Sequence, residues 1–270
     1  MRRLEEALLD LGSLDALGAG DGPVHRLDPR AKVVATLVFA AVVASYPRHE
    51  LSALLPLALF PVALGSIGGV PARLVTKKLA AGLPFVLLLG AAGPLLERTP
   101  AADFLGVPVS LGWMTLFSLV LKFLLTAAAA LVLVGTTSVA GVASALSGLG
   151  APRALVTQLV LLYRFAFVLA EDALRMRRAR DLRSFGSRGS ELARAGPFLG
   201  NLLVRTWERA SRIHRAMAAR GFDGTLPPRR PLRLGAADAA FLGASAAAFV
   251  ACRAWDLPGL LGAALSGGAR

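Results

Sequence analysis

Long apolar runs recur along this chain, and most of its arginines fall in the segments between those runs. Each run is near the roughly 20 residues that an α-helix needs to cross a bilayer. The sequence is 55% hydrophobic and yet has a formal net charge of +13, so apolar and basic residues must be segregated along it. This segregation predicts an all-α polytopic membrane protein.

We expect five transmembrane helices, four of them within residues 31–134 and the fifth after residue 234. Residues 1–30 form a predicted cytoplasmic leader, in which Asp28 is a natural N-cap and Pro29 a natural first residue for the first span. The five predicted spans are residues 31–46, 51–70, 79–96, 111–134 and 234–255.

The segment 171–233 decides the topology, because it contains fifteen arginines against six acidic residues. Basic segments next to spans stay in the cytoplasm, so residues 135–233 are predicted to be a cytoplasmic domain of long helices. The apolar run 154–170 then does not cross the membrane; we expect it to lie along the inner face and to continue as one helix to about Leu182. Residues 234–270 hold the last span and an external C-terminus.

Two short motifs end the predicted cytoplasmic helices, each with a small residue beside an arginine. A small residue lets a helix end approach a partner closely, and the guanidinium reaches beyond it as a fork that fits a carboxylate. Gly221 is expected to end its helix in the left-handed conformation. Ordinary basic helix ends, favoured by the helix dipole, remain an alternative explanation. The two motifs are Ala179-Arg180-Asp181 and Ala219-Arg220-Gly221.

The second long cytoplasmic helix, residues 192–220, is predicted to be amphipathic. Its arginine face is expected to be solvated, and its apolar stripe is expected to pack against the first long helix. The arginine face contains Arg205, Arg209 and Arg212; the stripe contains Leu203, Trp207, Ala210, His214 and Met217.

Two charged residues lie in predicted spans, Lys122 in the middle of the fourth and Asp238 near the start of the fifth. A lysine at the centre of a span costs roughly 2.5–3.5 kcal/mol on insertion scales, so Lys122 should face the bundle or a partner. A structural pairing and a functional role for Lys122 are equally compatible with the sequence.

The sequence lacks the residues that several other functions would require. A nucleic-acid-binding protein needs a basic surface on a soluble fold, which this chain has too little polar sequence to build. No phosphate-binding loop, serine-nucleophile motif or acidic magnesium cluster is present, so we expect neither an enzyme nor a cofactor. The metal-ligating types show no paired spacing and predict no metal site; they are His25, His49, His214 and Cys252.

Taken together, four segments resemble the transmembrane T component of energy-coupling-factor (ECF) transporters. The amino-acid sequence around Arg220 most resembles that of the CbiQ-type subunit of cobalt or nickel importers. The resemblance extends from about Val24 to Trp255. The segments that carry it are His25–Lys32, Leu149–Pro152, Ala179-Arg180 and Ala216–Gly224.

The resemblance implies a non-catalytic subunit of the bacterial inner membrane, with its N-terminus in the cytoplasm. In that family two ABC-type ATPase subunits receive the two helix ends, so Arg180 and Arg220 would each meet a carboxylate. Asp181 departs from the Gly or Ser usual there. A metal-capture membrane subunit, a small accessory membrane subunit and the lipid bilayer are the other implied partners. Nickel or vitamin uptake, and a stand-alone transporter using Lys122 and Asp238, remain alternatives.

The predicted topology can be tested with cysteine labelling in intact cells. Ser187→Cys should be protected from a membrane-impermeant thiol reagent, because the arginine-rich segment is expected inside. Ala101→Cys, in a predicted external loop, should be labelled. Labelling at residue 187 would contradict the five-span topology.

Overall fold

The computed structural model describes residues 22–47, 51–96, 100–104, 107–183, 191–226 and 234–254, with single positions between residues 12 and 20. Most of the predicted leader, the segment 184–190 that contains Ser187, the prolines between residues 227 and 231 and the predicted external C-terminus therefore lie outside the described residues. The contacts divide the chain into two units. We call Ser13–Ala145 with Pro231–Arg270 the helix bundle, and the second unit, Met1–Gly12 with Leu146–Arg230, contains two long helices that we call the helix pair.

Helices make up almost all of the described chain, which confirms the predicted all-α class. A short antiparallel hairpin, β1 (Pro100–Phe104) and β2 (Val107–Ser110), is the exception. The helices are α1 (Pro23–Arg26), α2 (Pro29–Ser45), α3 (Leu51–Leu54), α4 (Leu59–Ile67), α5 (Ala72–Gly90), α6 (Ala92–Leu96), α7 (Leu111–Thr137), α8 (Val139–Gly148), α9 (Arg153–Arg183), α10 (Glu191–Ala219) and α11 (Ala236–Ala254), with a 3-10 turn at Pro56–Ala58.

Four described helices are long and apolar enough to cross a membrane, so the chain is a polytopic membrane protein. Three of them correspond to predicted spans three, four and five. The fourth is α9. Its length and composition would allow it to cross the membrane, but the arginine-rich segment 171–233 predicts that it lies along the inner face instead. Helix α2 is shorter, with 17 residues. The number of spans therefore stays a prediction. The four segments are Ala72–Pro94, Leu111–Thr137, Arg153–Arg183 and Ala236–Ala254.

One predicted boundary was wrong. Residues 72–78, expected in a loop, form the first turns of α5, so Arg73 and Lys77 lie on a helix. The predicted second span consists of α3, a 3-10 turn that begins at Pro56, and α4, so its helix is interrupted at the first of the two prolines that are expected to bend it. Proline lacks the backbone N–H that a continuous helix needs, which is why the helical ladder is interrupted at this point.

Phe39 of helix α2 lies in the buried core of the helix bundle. Phe39 of α2 stacks on Phe60 of α4, with ring centroids 4.9 Å apart, and contacts Phe249 of α11 at 5.6 Å. Such pairs add about 0.5–1.5 kcal/mol beyond the area they bury. The buried core around them consists of Phe39, Val43, Tyr46, Leu54, Leu57, Leu125, Ala129 and Phe249.

One end of α2 is joined to α11 by the buried carboxylate of Asp238. Asp28 caps α2 by accepting a hydrogen bond from the Arg30 amide at 2.8 Å, and Pro29 is the first helical residue, as predicted. The Asp28 amide donates to Oδ1 of Asp238 at 2.7 Å, and Oδ2 of Asp238 accepts from the Gly235 amide at 2.8 Å. Asp28 and Asp238 are only 4% and 5% exposed. Asp238 therefore satisfies backbone donors at the start of both helices.

Two lysines join α2 to α7. Lys32 is buried and donates from Nζ to the Thr136 carbonyl at 2.9 Å. Lys122, in the middle of α7, donates to the carbonyl of Tyr46, which is the C-cap of α2, at 2.6 Å. A cation at a helix C-terminus is stabilised by the unsatisfied carbonyls there. Of the two interpretations of Lys122, a structural pairing and a functional role, this bond supports the structural pairing.

Tyr46 also joins α2 to α11. Its hydroxyl donates to the Cys252 carbonyl at 2.9 Å, and the guanidinium of Arg253 lies over its ring, 4.7 Å from the centroid. The interaction of a cation with an aromatic face contributes about 0.5–2 kcal/mol. Both ends of α2 are thus bound to the same two helices, α7 and α11.

Removing the Asp238 carboxylate should destabilise the bundle. In Asp238→Ala the buried amide of Asp28 and the more exposed amide of Gly235 lose their acceptor, and one unsatisfied buried donor costs about 1–3 kcal/mol. We expect a lower melting temperature in detergent, with a smaller loss for Asp238→Asn, which keeps one acceptor oxygen. Ser245→Ala is the control, because Ser245 donates only to its own helix at Phe241 and Leu242. Equal melting temperatures for Asp238→Ala and Ser245→Ala would contradict the assigned role.

Candidate functional site

The helix pair, α9 and α10, runs antiparallel. The carboxylate of Asp172 in α9 forms an ion pair with Arg209 of α10 at 2.9 Å. Towards the end of α9 the guanidinium of Arg180 lies 5.5 Å from the ring centroid of Phe198, near the start of α10. Later residues of α9 therefore contact earlier residues of α10, which is the arrangement of an antiparallel pair. The predicted single helix from residue 154 to about 182 is confirmed by α9.

The two Ala-Arg motifs consequently lie at opposite ends of the pair. Thr157, near the start of α9, donates from its hydroxyl to the carbonyl of Gly224, just beyond the end of α10. A helix rises roughly 1.5 Å per residue, so Thr157 and Arg180 are about 35 Å apart along α9. The helix end that bears Arg220 is thus separated from Arg180 by nearly the length of the pair.

The first motif lies inside the last turn of α9, three residues before Arg183. Arg180 contacts the carboxylate of its neighbour Asp181 at 3.4 Å as well as the ring of Phe198. Asp181 also lies 4.0 Å from Nε of Arg177. Exposed ion pairs of this kind contribute only about 0–1 kcal/mol. Arg180 is therefore held by intramolecular contacts that are weak enough to exchange.

The second motif closes α10. Ala219 is the last helical residue and the side chain of Arg220 is exposed. Gly221 has φ of +78°, and its amide donates to the Ala218 carbonyl at 3.0 Å, while the Phe222 amide donates to Met217 at 3.1 Å. These two bonds form a Schellman motif, which needs the left-handed residue at its centre. The predicted conformation of Gly221 is confirmed.

A compact turn follows the second motif. Oδ1 of Asp223 accepts hydrogen bonds from the Thr225 hydroxyl at 2.7 Å and from the Thr225 amide at 2.9 Å. The pKa of the Asp223 carboxyl is lowered, first by that hydroxyl, then by the amide, and to a smaller extent by the positive charge of Arg153. Because the folded-state pKa is lowered, the stabilisation is present at neutral pH and is lost as the pH falls through that lowered pKa.

On the arginine face of α10, Arg205 and Arg212 are exposed as expected, but Arg209 is half-buried and paired, contrary to the sequence-based expectation. Arg209 pairs with Asp172 across the helix pair, and Arg212 lies 3.8 Å from Glu208 on its own helix. A groove of about 1230 Å³ runs between the polar faces of α9 and α10. Six arginines and two acidic residues are among the side chains that line it: Arg175, Arg180, Arg183, Arg205, Arg209, Arg212, Asp172 and Glu208.

The predicted packing of the apolar stripe was wrong in part. Leu203 and Trp207 are 70% and 75% exposed rather than packed on α9. Phe198 and Arg209 lie on the face of α10 that contacts α9. Leu203 and Trp207 lie on the opposite face and are therefore left exposed. The rest of the stripe, Ala210, His214 and Met217, lines a largely apolar crevice of about 550 Å³ together with residues of α9. We call Leu199, Leu203, Val204 and Trp207 the exposed stripe.

Sequence reasoning missed Thr157. It is the one buried residue of α9, a helix whose residues the structure describes throughout. Its partner Gly224 is 67 positions away, so no local pattern could have paired them. Among the described residues, no three His, Cys, Asp or Glu side chains gather in an arrangement that could hold a metal ion.

Comparison with known proteins gives two similarities. The family model described as "Cobalt transport protein", CbiQ, matches residues 20–231. The cobalt transport protein CbiQ of Rhodobacter capsulatus is 35% identical over 107 residues, which are 37% of this chain and 44% of that protein. The alignment thus spans less than half of the relative.

The antiparallel pairing can be tested by reversing charge. Asp172→Arg should bring two guanidinium groups together at Arg209 and loosen the helix pair, so that limited proteolysis within residues 171–226 becomes roughly fivefold faster. The double variant Asp172→Arg/Arg209→Asp should return cleavage to near the wild-type rate. Glu171→Arg, which reverses an exposed charge whose partner Arg175 lies on the same helix, is the matched control. Equal cleavage of the single and double variants would contradict the pairing.

Proposed function

Because the chain belongs to the CbiQ family of cobalt transport proteins, we propose that it is the membrane subunit that couples ATP hydrolysis to cobalt uptake in an ECF-type importer. In this role it carries no catalytic residues. Two ABC-type ATPase subunits bind it from the cytoplasm of a bacterial cell. A metal-capture membrane subunit and a small accessory membrane subunit complete the complex. The N-terminus and the helix pair lie on the cytoplasmic side.

One observation carries this proposal: the two Ala-Arg motifs lie at opposite ends of one antiparallel helix pair. Arg180 contacts Phe198, and the rise along α10 from Phe198 to Arg220 is roughly 33 Å. Arginines so far apart are too distant to serve one small ligand, but they suit one contact on each of two protein subunits. Ala219 leaves room beside Arg220, whose exposed guanidinium can form a bidentate pair with a carboxylate in a groove of an ATPase. Arg180 forms the corresponding contact at the other end.

The two contacts are not equivalent. Arg220 is exposed, whereas Arg180 must exchange its contacts with Asp181 and Phe198 for those of the partner. Since the Arg180–Asp181 contact is itself an exposed pair, that exchange has a small free-energy cost. We therefore assign the stronger of the two contacts to Arg220.

The mechanism follows from the stiffness of the two helices. ATP-driven closure of the ATPase dimer changes the separation of the two sites that hold Arg180 and Arg220, and the helix pair must tilt or slide in response. The exposed stripe of α10 is the surface that we assign to the metal-capture subunit, because a large uncovered apolar patch usually marks an interaction site. Motion of the pair would then reach the subunit that holds the metal.

A stand-alone transporter that uses Lys122 and Asp238 is less well supported. The ammonium of Lys122 already donates to the Tyr46 carbonyl, and the carboxylate of Asp238 already accepts from two backbone amides. Both charges thus have structural partners in the bundle. Nickel or vitamin uptake would use the same coupling mechanism, since another subunit selects the substrate.

Substitution of Arg220 tests the proposal. Arg220→Ala should release one ATPase or uncouple it, because removing one member of a desolvated charge pair costs roughly 3–5 kcal/mol. Arg220→Glu should be worse, since like charges would meet. Arg180→Ala should have a milder effect. The measurements are co-purification of the ATPase subunits with the tagged chain and metal uptake by cells.

Arg215→Ala is the matched control, because Arg215 is an exposed arginine on the same helix. Arg209 is unsuitable for this purpose, since it pairs with Asp172. Full uptake by the double variant Arg180→Ala/Arg220→Ala would end the proposal. Equal behaviour of Arg180→Ala, Arg220→Ala and Arg215→Ala would mean that the two helix ends are ordinary basic surface.

A further inference from the structure

The turn after Arg220 is bound to the start of the neighbouring helix. Thr157, in the second turn of α9, donates from its hydroxyl to the Gly224 carbonyl at 3.0 Å. Thr157 is 8% exposed, although the rest of α9 is exposed or half-buried. A helix that leaves its leucines partly in solvent while burying a threonine is making a specific polar contact at that position.

The turn itself is well ordered by its own hydrogen bonds. The Schellman motif at Gly221 fixes where α10 ends, and the carboxylate of Asp223 holds the amide and hydroxyl of Thr225. Gly224, with φ of +88°, then directs its carbonyl to Thr157. The Thr157 bond therefore holds a turn that is already ordered.

Two further contacts act at the same place. Phe222 is half-buried and lines the crevice that α10 shares with Gln158 and Leu161 of α9. The positive charge of Arg153, in the first turn of α9, attracts the carboxylate of Asp223. Of these three contacts, the Thr157 hydroxyl supplies the directional one, because a hydrogen bond sets both distance and angle.

We propose that Thr157 is a positioning residue for Arg220: its hydrogen bond to Gly224 holds the end of α10 against the start of α9, so that the guanidinium is presented to its ATPase and its motion is passed directly into α9. This inference rests on the proposed function of Arg220. It adds that the contact at Arg220 depends on a residue 63 positions earlier in the chain. The Arg180 end has no share in this bond.

The test measures binding of the cognate ATPase subunits to the purified full-length chain in lipid nanodiscs. Thr157→Val keeps the shape of the side chain and removes the hydroxyl, and it should weaken binding roughly fivefold, the effect of one lost hydrogen bond. Thr157→Ser, which keeps the hydroxyl, should bind within about twofold of wild type. Thr206→Val is the matched control, because the Thr206 hydroxyl donates only within its own helix to Leu202.

A double-mutant cycle separates positioning from general destabilisation. If Thr157 acts through Arg220, then adding Thr157→Val to Arg220→Ala should cause no further loss of binding, whereas adding it to Arg180→Ala should cause the full fivefold loss. A residue that merely stabilises the fold would add to both variants. Additivity with both variants, or wild-type binding by Thr157→Val, would overturn the inference.

The Arg220→Ala variant also separates the proposed function of Arg220 from the positioning role of Thr157. If Arg220→Ala alone binds the ATPases as wild type does, the proposed function of Arg220 fails, and the role of Thr157 fails with it. If Arg220→Ala weakens binding but Thr157→Val does not, only the inference about Thr157 is wrong. Failure of Thr157→Ser to restore binding would likewise exclude the hydroxyl as the group responsible.

Discussion

The helix bundle depends on how its buried charges are satisfied. A charged group in an apolar interior is costly unless it is paired or hydrogen-bonded. In this bundle the groups that satisfy them are backbone atoms at or near helix ends, which lack partners within their own helix. The ammonium of Lys122 meets the carbonyl of Tyr46 at the end of α2, and the carboxylate of Asp238 meets the amide of Asp28 at its start. Each bond satisfies a charged side chain and also a backbone group at a helix end. Together the two bonds attach one end of α2 to α7 and the other to α11.

The helix pair, in contrast, is held together mainly by contacts that are partly exposed. The ion pair between its helices, Asp172–Arg209, is partly exposed and its apolar crevice is half-open, so the pair buries little surface of its own. Partly exposed ion pairs contribute little stability, and side chains such as Trp207, 75% exposed, bury little area within the pair. Such an arrangement is expected of a region whose remaining stability comes from partner subunits. The Thr157–Gly224 bond is an exception, since its donor is buried and the bond is directional.

Much of the fold could be predicted because it rests on local chemistry. Asp28 and Pro29 mark the start of α2 because capping and a missing N–H act within one turn, and Gly221 marks the end of α10 because a left-handed residue is needed there. The length of α9 followed from the combination of an apolar run with a polar continuation. The interruption of the second predicted span at Pro56 follows from the local effect of proline on a helix. The sequence was misleading at residues 72–78, whose basic residues were expected in a loop but lie on α5.

The sequence by itself determined the membrane class, the positions of the two Ala-Arg motifs and the charges that need partners, because composition, periodicity and capping are properties of short segments. Only the tertiary structure decided which groups satisfy those charges, which face of α10 meets α9, and that Thr157 holds the turn after Arg220. These outcomes join residues up to 210 positions apart, such as Asp28 and Asp238. Pairings over such separations are set by how helices pack in three dimensions, and no local pattern along the chain encodes them.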